Sequence, residues 1–126
     1  MDMQLATLED DGWMLDDGEE IAAQHPETFW IPSREQRDAL QPGQQVKLIF
    51  RIVTEDADGA EEMHVERMWV IVSGREGNLY RGELDNQPYC TDEMNPGLPV
   101  CFEARHVINI FESEEGGEAV KAGDDV

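Results

Sequence analysis

Five side chains in this chain could ligate a metal or act as nucleophile and base: His25, His64, His106, Cys90 and Cys101. None of them falls in a C-x-x-C or H-E-x-x-H spacing, and a closed zinc site would have to draw four of its ligands from these five scattered positions. No metal and no cofactor is therefore expected. Nucleophilic catalysis has no better footing, because there is no G-x-S-x-G, and Cys90 with His64 or His106 carries no local signature. Glu66 and Glu103 could face one another as an acid/base pair, yet with 29 acids in the chain chance pairing is the default. No glycine-rich loop leads into a helix in the way a phosphate cradle requires. The chemistry thus points away from an enzyme, and Cys101, inside a strand pattern, reads as a small buried hydrophobe.

Binding chemistry remains. Lys47 and Arg67 are cations on strands of an acidic chain, and with Trp69, Asn86 and His106 they could form a small cationic, hydrogen-bonding patch on a sheet. The competing reading pairs the two cations with Glu66 or Glu83 across the sheet, and treats Asn86 as turn chemistry after Asp85. Trp30 and Trp69 read first as core residues. Trp13-Met14-Leu15, flanked by Asp11 and Asp16, has the acidic-hydrophobic character of a docking segment, or else closes over the domain.

The charge is the strongest compositional constraint. The formal net charge is −20, and residues 1–30 hold nine acids with no Lys or Arg. Residues 112–126 hold six acids and Lys121, whereas 31–54 carry Arg34, Arg37, Lys47 and Arg51 against Glu35 and Asp38. Phosphate contacts need clustered cations, so direct nucleic-acid binding and anionic membranes are disfavoured, and a protein partner with a basic surface is easier to accommodate. Solubility alone is the plainer account of the acids. Two cysteines make no disulfide framework, no apolar leader follows Met1, and no apolar run approaches the ~20 residues of a membrane helix, so a cytoplasmic location is expected.

The elements that must position these residues follow from periodicity. Residues 1–18 read as an acidic flexible arm, 19–111 as a single α+β domain, and 112–126 as an acidic disordered tail. Glu19–Gln24 has helix formers with acids first, and Pro26 stops it. Thr28–Ile31 has strand composition; Ser33 with Gln36 makes an S-x-x-Q capping box for a helix over Arg34–Leu40, with Arg34 and Arg37 on an exposed face. Gln45–Thr54 alternates Val46, Leu48, Phe50 and Ile52 against Lys47, Ile49, Arg51 and Val53, a strand of period two. After the turn Asp56–Gly59 the chain returns in Met63–Ser73, apolar on both faces beyond Arg67 and hence the central strand. Asn78–Leu84 follows as a third strand, with Gly82 marking a bulge or a close backbone approach. Tyr89–Leu98 reads as an irregular loop, and Val100–Ala104 and Val107–Phe111 as short strands. Pro42-Gly43 and Pro96-Gly97 are matched type II corners feeding strands.

The order Pro42-Gly43-x-x-Val46-Lys47-Leu48-x-Phe50, Glu66-Arg67-Met68-Trp69-Val70, Gly82-x-Leu84-x-Asn86-x-Pro88 and Pro96-Gly97-x-x-Val100-x-Phe102, then His106-Val107-Ile108, resembles the YegJ-like bacterial domain of unknown function over about residues 29–111. The resemblance implies a small bacterial α+β domain and no assigned reaction. The chain departs from it at Leu98, where relatives commonly carry an Asp after the glycine. The combined expectation is an α+β, mainly β fold: a strongly curved antiparallel sheet or small partly open barrel of five or six strands with one or two short helices. The expected function is that of a non-enzymatic protein-binding or regulatory module. Alternatives are a small-molecule or peptide pocket around Arg67, Trp69 and His106, and an immunity or inhibitor protein that mimics nucleic-acid charge.

Overall fold

Two long apolar-alternating segments joined by an Asp-rich turn can satisfy each other's backbone only as a hairpin, and that hairpin is the frame of the structure. The computed structural model describes residues 4–111. Strand β2 (Gln45–Glu55) and strand β3 (Glu61–Glu76) pair antiparallel from Gln45↔Ile71 to Glu55↔Glu61. Strand β4 (Leu79–Leu84) pairs with β3 from Val70 onward, and β5 (Pro99–Phe102) pairs with β4. The other edge of β2 is shared end to end by β1 (Trp13–Leu15), opposite Phe50 to Ile52, and β6 (Val107–Ile110), opposite Val46 to Leu48. The result is a curved six-stranded antiparallel half-barrel, with β3 at its centre.

The short helices are set by their caps. Thr7 caps α1 (Leu8–Asp11), Asp17 caps α2 (Gly18–Gln24), and Ser33 with Gln36 forms the expected capping box on α3 (Arg34–Asp38). The two Pro-Gly corners are type II turns: Gly43 and Gly97 hold φ of 96° and 98°, and the amides of Gln44 and Leu98 close back on Gln41 and Asn95 at 3.1 and 3.0 Å.

One face of the sheet holds the core. Val46, Leu48, Phe50 and Ile52 of β2 meet Met68, Val70 and Val72 of β3, Tyr80 and Leu84 of β4, and Val100 and Phe102 of β5. Tyr80 stacks on Phe102 at 5.2 Å between centroids, and its buried hydroxyl donates to the Arg37 carbonyl while accepting from the Leu40 amide. This pair of bonds ties α3 to the inner face. In the same core Trp13 packs on Phe50 at 5.4 Å between centroids.

Three expectations are corrected here. Residues 1–18 are not simply an arm: Trp13–Leu15 is a strand of the sheet, Trp13 and Leu15 are 8 % and 7 % exposed, and burial of such side chains stabilises by about 1.5–3 kcal/mol each. The tail 112–126 lies outside the described residues. Thr28–Ile31 forms no strand, and Trp30 is 75 % exposed, its indole N–H satisfied by the Pro26 carbonyl within its own turn of chain. Arg37 does not share the exposed face of Arg34. It is buried, with Nη1 2.6 Å from Glu19 and 2.9 Å from the Ala104 carbonyl, and Nε 2.8 Å from the Pro32 carbonyl, so every buried donor engaged there has an acceptor.

Candidate functional site: an aromatic sheet face and an acidic hairpin end

The face of β2 and β3 opposite the core carries three of the residues that the sequence singles out, Lys47, Arg67 and Trp69. Lys47 and Trp69 are direct cross-strand partners, and the Lys47 ammonium sits 4.7 Å over the Trp69 ring. Phe111 meets the same ring edge-on at 5.9 Å. The Trp69 amide donates to Asn86 Oδ1, and its carbonyl accepts the Asp85 amide at 2.9 Å. Asn86 therefore locks the strand's register at the turn instead of presenting its side chain to solvent. Arg67, two residues away on the same face, lies 5.6 Å over Phe29. Neither cation forms an ion pair among the described residues; each covers an aromatic ring instead of a carboxylate.

His106 does not join this group. It is 2 % exposed in a one-turn helix over Ala104–His106, where its Nδ1 accepts the Glu103 amide at 2.9 Å. Burial first, then the neighbouring Arg105 charge, lowers its pKa to about 4, so it is a neutral capping group in the interior. The pocket that Arg67, Trp69 and His106 would have shared is absent from this arrangement. The docking segment Trp13, Met14 and Leu15 is likewise corrected: two of its side chains are in the core, and Met14 lies opposite Arg51 on the outer face.

The two carboxylates considered as an acid/base pair are engaged separately. Glu66 accepts the amides of Tyr89 and Cys90 at 3.0 and 2.9 Å; burial opposes its ionisation, but those amides and the Cys90 thiol outweigh it and hold its pKa below the usual value. The same burial, with the Glu66 charge, pushes the Cys90 thiol up to about 11, which makes it a poor nucleophile. Glu103 is 2.7 Å from Arg105. Among the described residues no group of three or more His, Cys, Asp or Glu is placed to hold a metal, and no helix is long and apolar enough to cross a membrane.

The remaining cations explain where the unbalanced charge is left. Arg51 makes a two-pronged pair with Asp16 at 2.9 and 2.8 Å, Arg105 bridges Asp17 and Glu103, and Arg34 bridges Glu19 and Asp38. All of this neutralisation occurs at the end of the half-barrel that carries α2 and α3, and around the base of β1. At the other end β2 and β3 run past their neighbours, since β1 reaches only to Ile52 and β4 only to Val70. The projecting tip holds Glu55, Asp56, Asp58, Glu61 and Glu62 with no Lys or Arg, and Glu55 stands directly opposite Glu61. The Val53 amide donates to the Gly12 carbonyl, so the chain leaving α1, which carries Glu9, Asp10 and Asp11, joins the sheet at the base of the same tip, with Asp11 lining a pocket beside Ser73 and Arg81. Met63 and Val65 lie beside it, 47 % and 52 % exposed.

No sequence motif announces this hairpin end. Asp56–Gly59 reads as a turn, and the approach of the α1 end to the base of the hairpin depends on a strand pairing that the three residues Trp13–Leu15 do not advertise. Its one local signal is the run of acids on both sides of the turn, where cross-strand like charges cost stability and so call for a reason. Compared with family models, with curated proteins and with solved structures, the chain matches none at a significant level. None of these comparisons supports the resemblance to the YegJ-like domain, and the α+β, mainly β architecture stands on the structure alone.

Proposed function

We propose that this chain is a non-enzymatic binding module whose partner is a protein with a basic surface, and that the contact is made by the projecting β2–β3 tip with α1. The observation that carries the reading is the segregation of charge: five acids with no Lys or Arg stand on the tip, and the three acids of α1 precede the Gly12–Val53 bond at its base, while four of the described arginines, Arg34, Arg37, Arg51 and Arg105, are paired with acids elsewhere. Acids retained merely for solubility need no such convergence, and the exposed Met63 and Val65 add apolar area beside them.

The test is a titration of the isotopically labelled chain with oligolysine, followed residue by residue in NMR spectra. Shift changes are expected to concentrate in residues 8–11 and 53–65 and to weaken as added salt screens the contact. Equal responses at Glu20, Glu27, Glu35 and Glu76, which are exposed acids remote in sequence from the tip, would show a diffuse ion atmosphere and contradict the proposal.

A further inference from the structure

The projecting hairpin has an open edge. β4 begins to pair with β3 only at Val70, and the bonds of Trp69 to Asp85 and Asn86 close the edge at that residue. From Glu61 to Arg67, β3 has β2 on one side and no backbone partner on the other among the described residues. The ladder sets which groups face outward. The Asp56 amide bonds to the Ala60 carbonyl and the Val72 amide to the Gln44 carbonyl, so the even-numbered residues of β3 exchange hydrogen bonds with β2. Glu61, Met63, Val65 and Arg67 consequently direct their N–H and C=O groups away from the sheet. An unpaired strand edge of this length is a template for another strand, and proteins ordinarily blunt such edges.

We infer that the Glu61–Arg67 edge of β3 accepts an extended segment of the partner as an added strand, apolar on the face of Met63 and Val65 and carrying Lys or Arg on the face of Glu62. The inference rests on the proposed basic partner and names how it is held. Charge decides among occupants. A second copy of this chain would bring a protein of net charge −20 against the acidic tip, whereas a cationic strand meets Glu61 and Glu62 with opposite charge, the Arg67 guanidinium at the far end of the edge lying over Phe29. Main-chain bonds supply the grip, and alternate side chains supply the selection.

The probe is an end-blocked peptide of alternating valine and lysine, about eight residues long, which spans Glu61 to Arg67 at ~3.4 Å per residue. Its control is the same peptide with N-methyl groups on the edge that would meet β3, unchanged in charge. Hydrogen exchange of the labelled full chain is read at single amides. With the first peptide, the amides of Met63, Val65 and Arg67 are expected to slow by about tenfold or more, and with the control they are not. Val65→Pro removes one outward N–H and no bond to β2, so it is expected to keep the fold and lose about tenfold in affinity for the first peptide. If both peptides bind equally and those amides stay unprotected, strand addition is overturned while the acidic contact survives. Absence of binding by either peptide at low ionic strength overturns both readings. Protection that appears on concentrating the chain alone would identify a second copy as the occupant and overturn this one.

Discussion

Replacing Gly82 by alanine is expected to destabilise the fold by about 3 kcal/mol, the upper range for overpacking a close-packed site. Gly82 faces the core between β3 and β5, paired with Val72 and with Val100. A Cβ there would lie 2.4 Å from the Ile71 carbonyl oxygen and 2.8 Å from Val70 Cγ1. The first of these contacts is with backbone in the middle of the sheet, so relief requires the central strand to move, not a side chain to rotate. The pairing of β3 with β4 already shifts register between Val72 and Gly74, immediately beside this site. Urea denaturation of the variant checks the magnitude. Gly74→Ala provides the comparison: its Cβ would meet only the end of the Arg81 side chain, at 2.9 Å, and the loss is expected to stay below ~1 kcal/mol.

The second large effect is acid sensitivity through His106. Its pKa is lowered to about 4 in the folded chain against an ordinary 6.5, so above pH 6.5 it is neutral in both states and its contribution is fully present. As the pH falls from 6.5 towards 4 the unfolded chain takes up a proton that the folded chain refuses, and stability declines by on the order of 3 kcal/mol. Burial is the main cause, and Arg105 adds to it, while Glu103, Asp17 and Asp16 act in the opposite direction. His106→Gln should remove the dependence without removing the cap, because Gln36 already caps the Ser33 amide in the same N3 position of α3. Stability measured against pH for both proteins isolates the group. Asp17 and Glu66 also have lowered pKa values, so their contributions fade at lower pH, in the carboxylate range, and are common to both proteins.

The hairpin, the third strand, the type II corners and the capping box were legible because each is encoded locally: period-two alternation, Pro-Gly pairs and Ser33 with Gln36 act over a few residues. Gly82 was legible too, as a strand glycine with a backbone pressed against it. The rest depended on long-range pairing. Trp13–Leu15 lacks the length to declare itself a strand and becomes one only because β2 offers Phe50 to Ile52 as an edge. Trp30 has strand neighbours in sequence but pairs with no strand, its indole bonding back to Pro26. Arg37 and His106 carry polar side chains into the interior, and only the positions of Glu19, Pro32, Ala104 and Glu103 make that tolerable. For the candidate patch, Lys47, Arg67 and Trp69 were placed on one face correctly, but aromatic rings rather than Glu66 and Glu83 receive the cations. The acidic tip was invisible as a site because its second contributor, α1, lies over forty residues earlier in the chain.

The central claim is that the position of the acids, not their number, makes the binding surface. Two variants with equal loss of charge separate these. One carries Glu55→Gln, Asp58→Asn, Glu61→Gln and Glu62→Gln at the tip, sparing Asp56, whose Oδ1 holds the turn through the Asp58 and Ala60 amides. The other carries Glu20→Gln, Glu27→Gln, Glu35→Gln and Glu76→Gln, all exposed and away from the tip. Calorimetric titration with the valine-lysine peptide at low ionic strength is expected to show about tenfold weaker binding for the tip variant and a change within about twofold for the other. Equal weakening of the two would mean that only net charge matters, and would contradict the account.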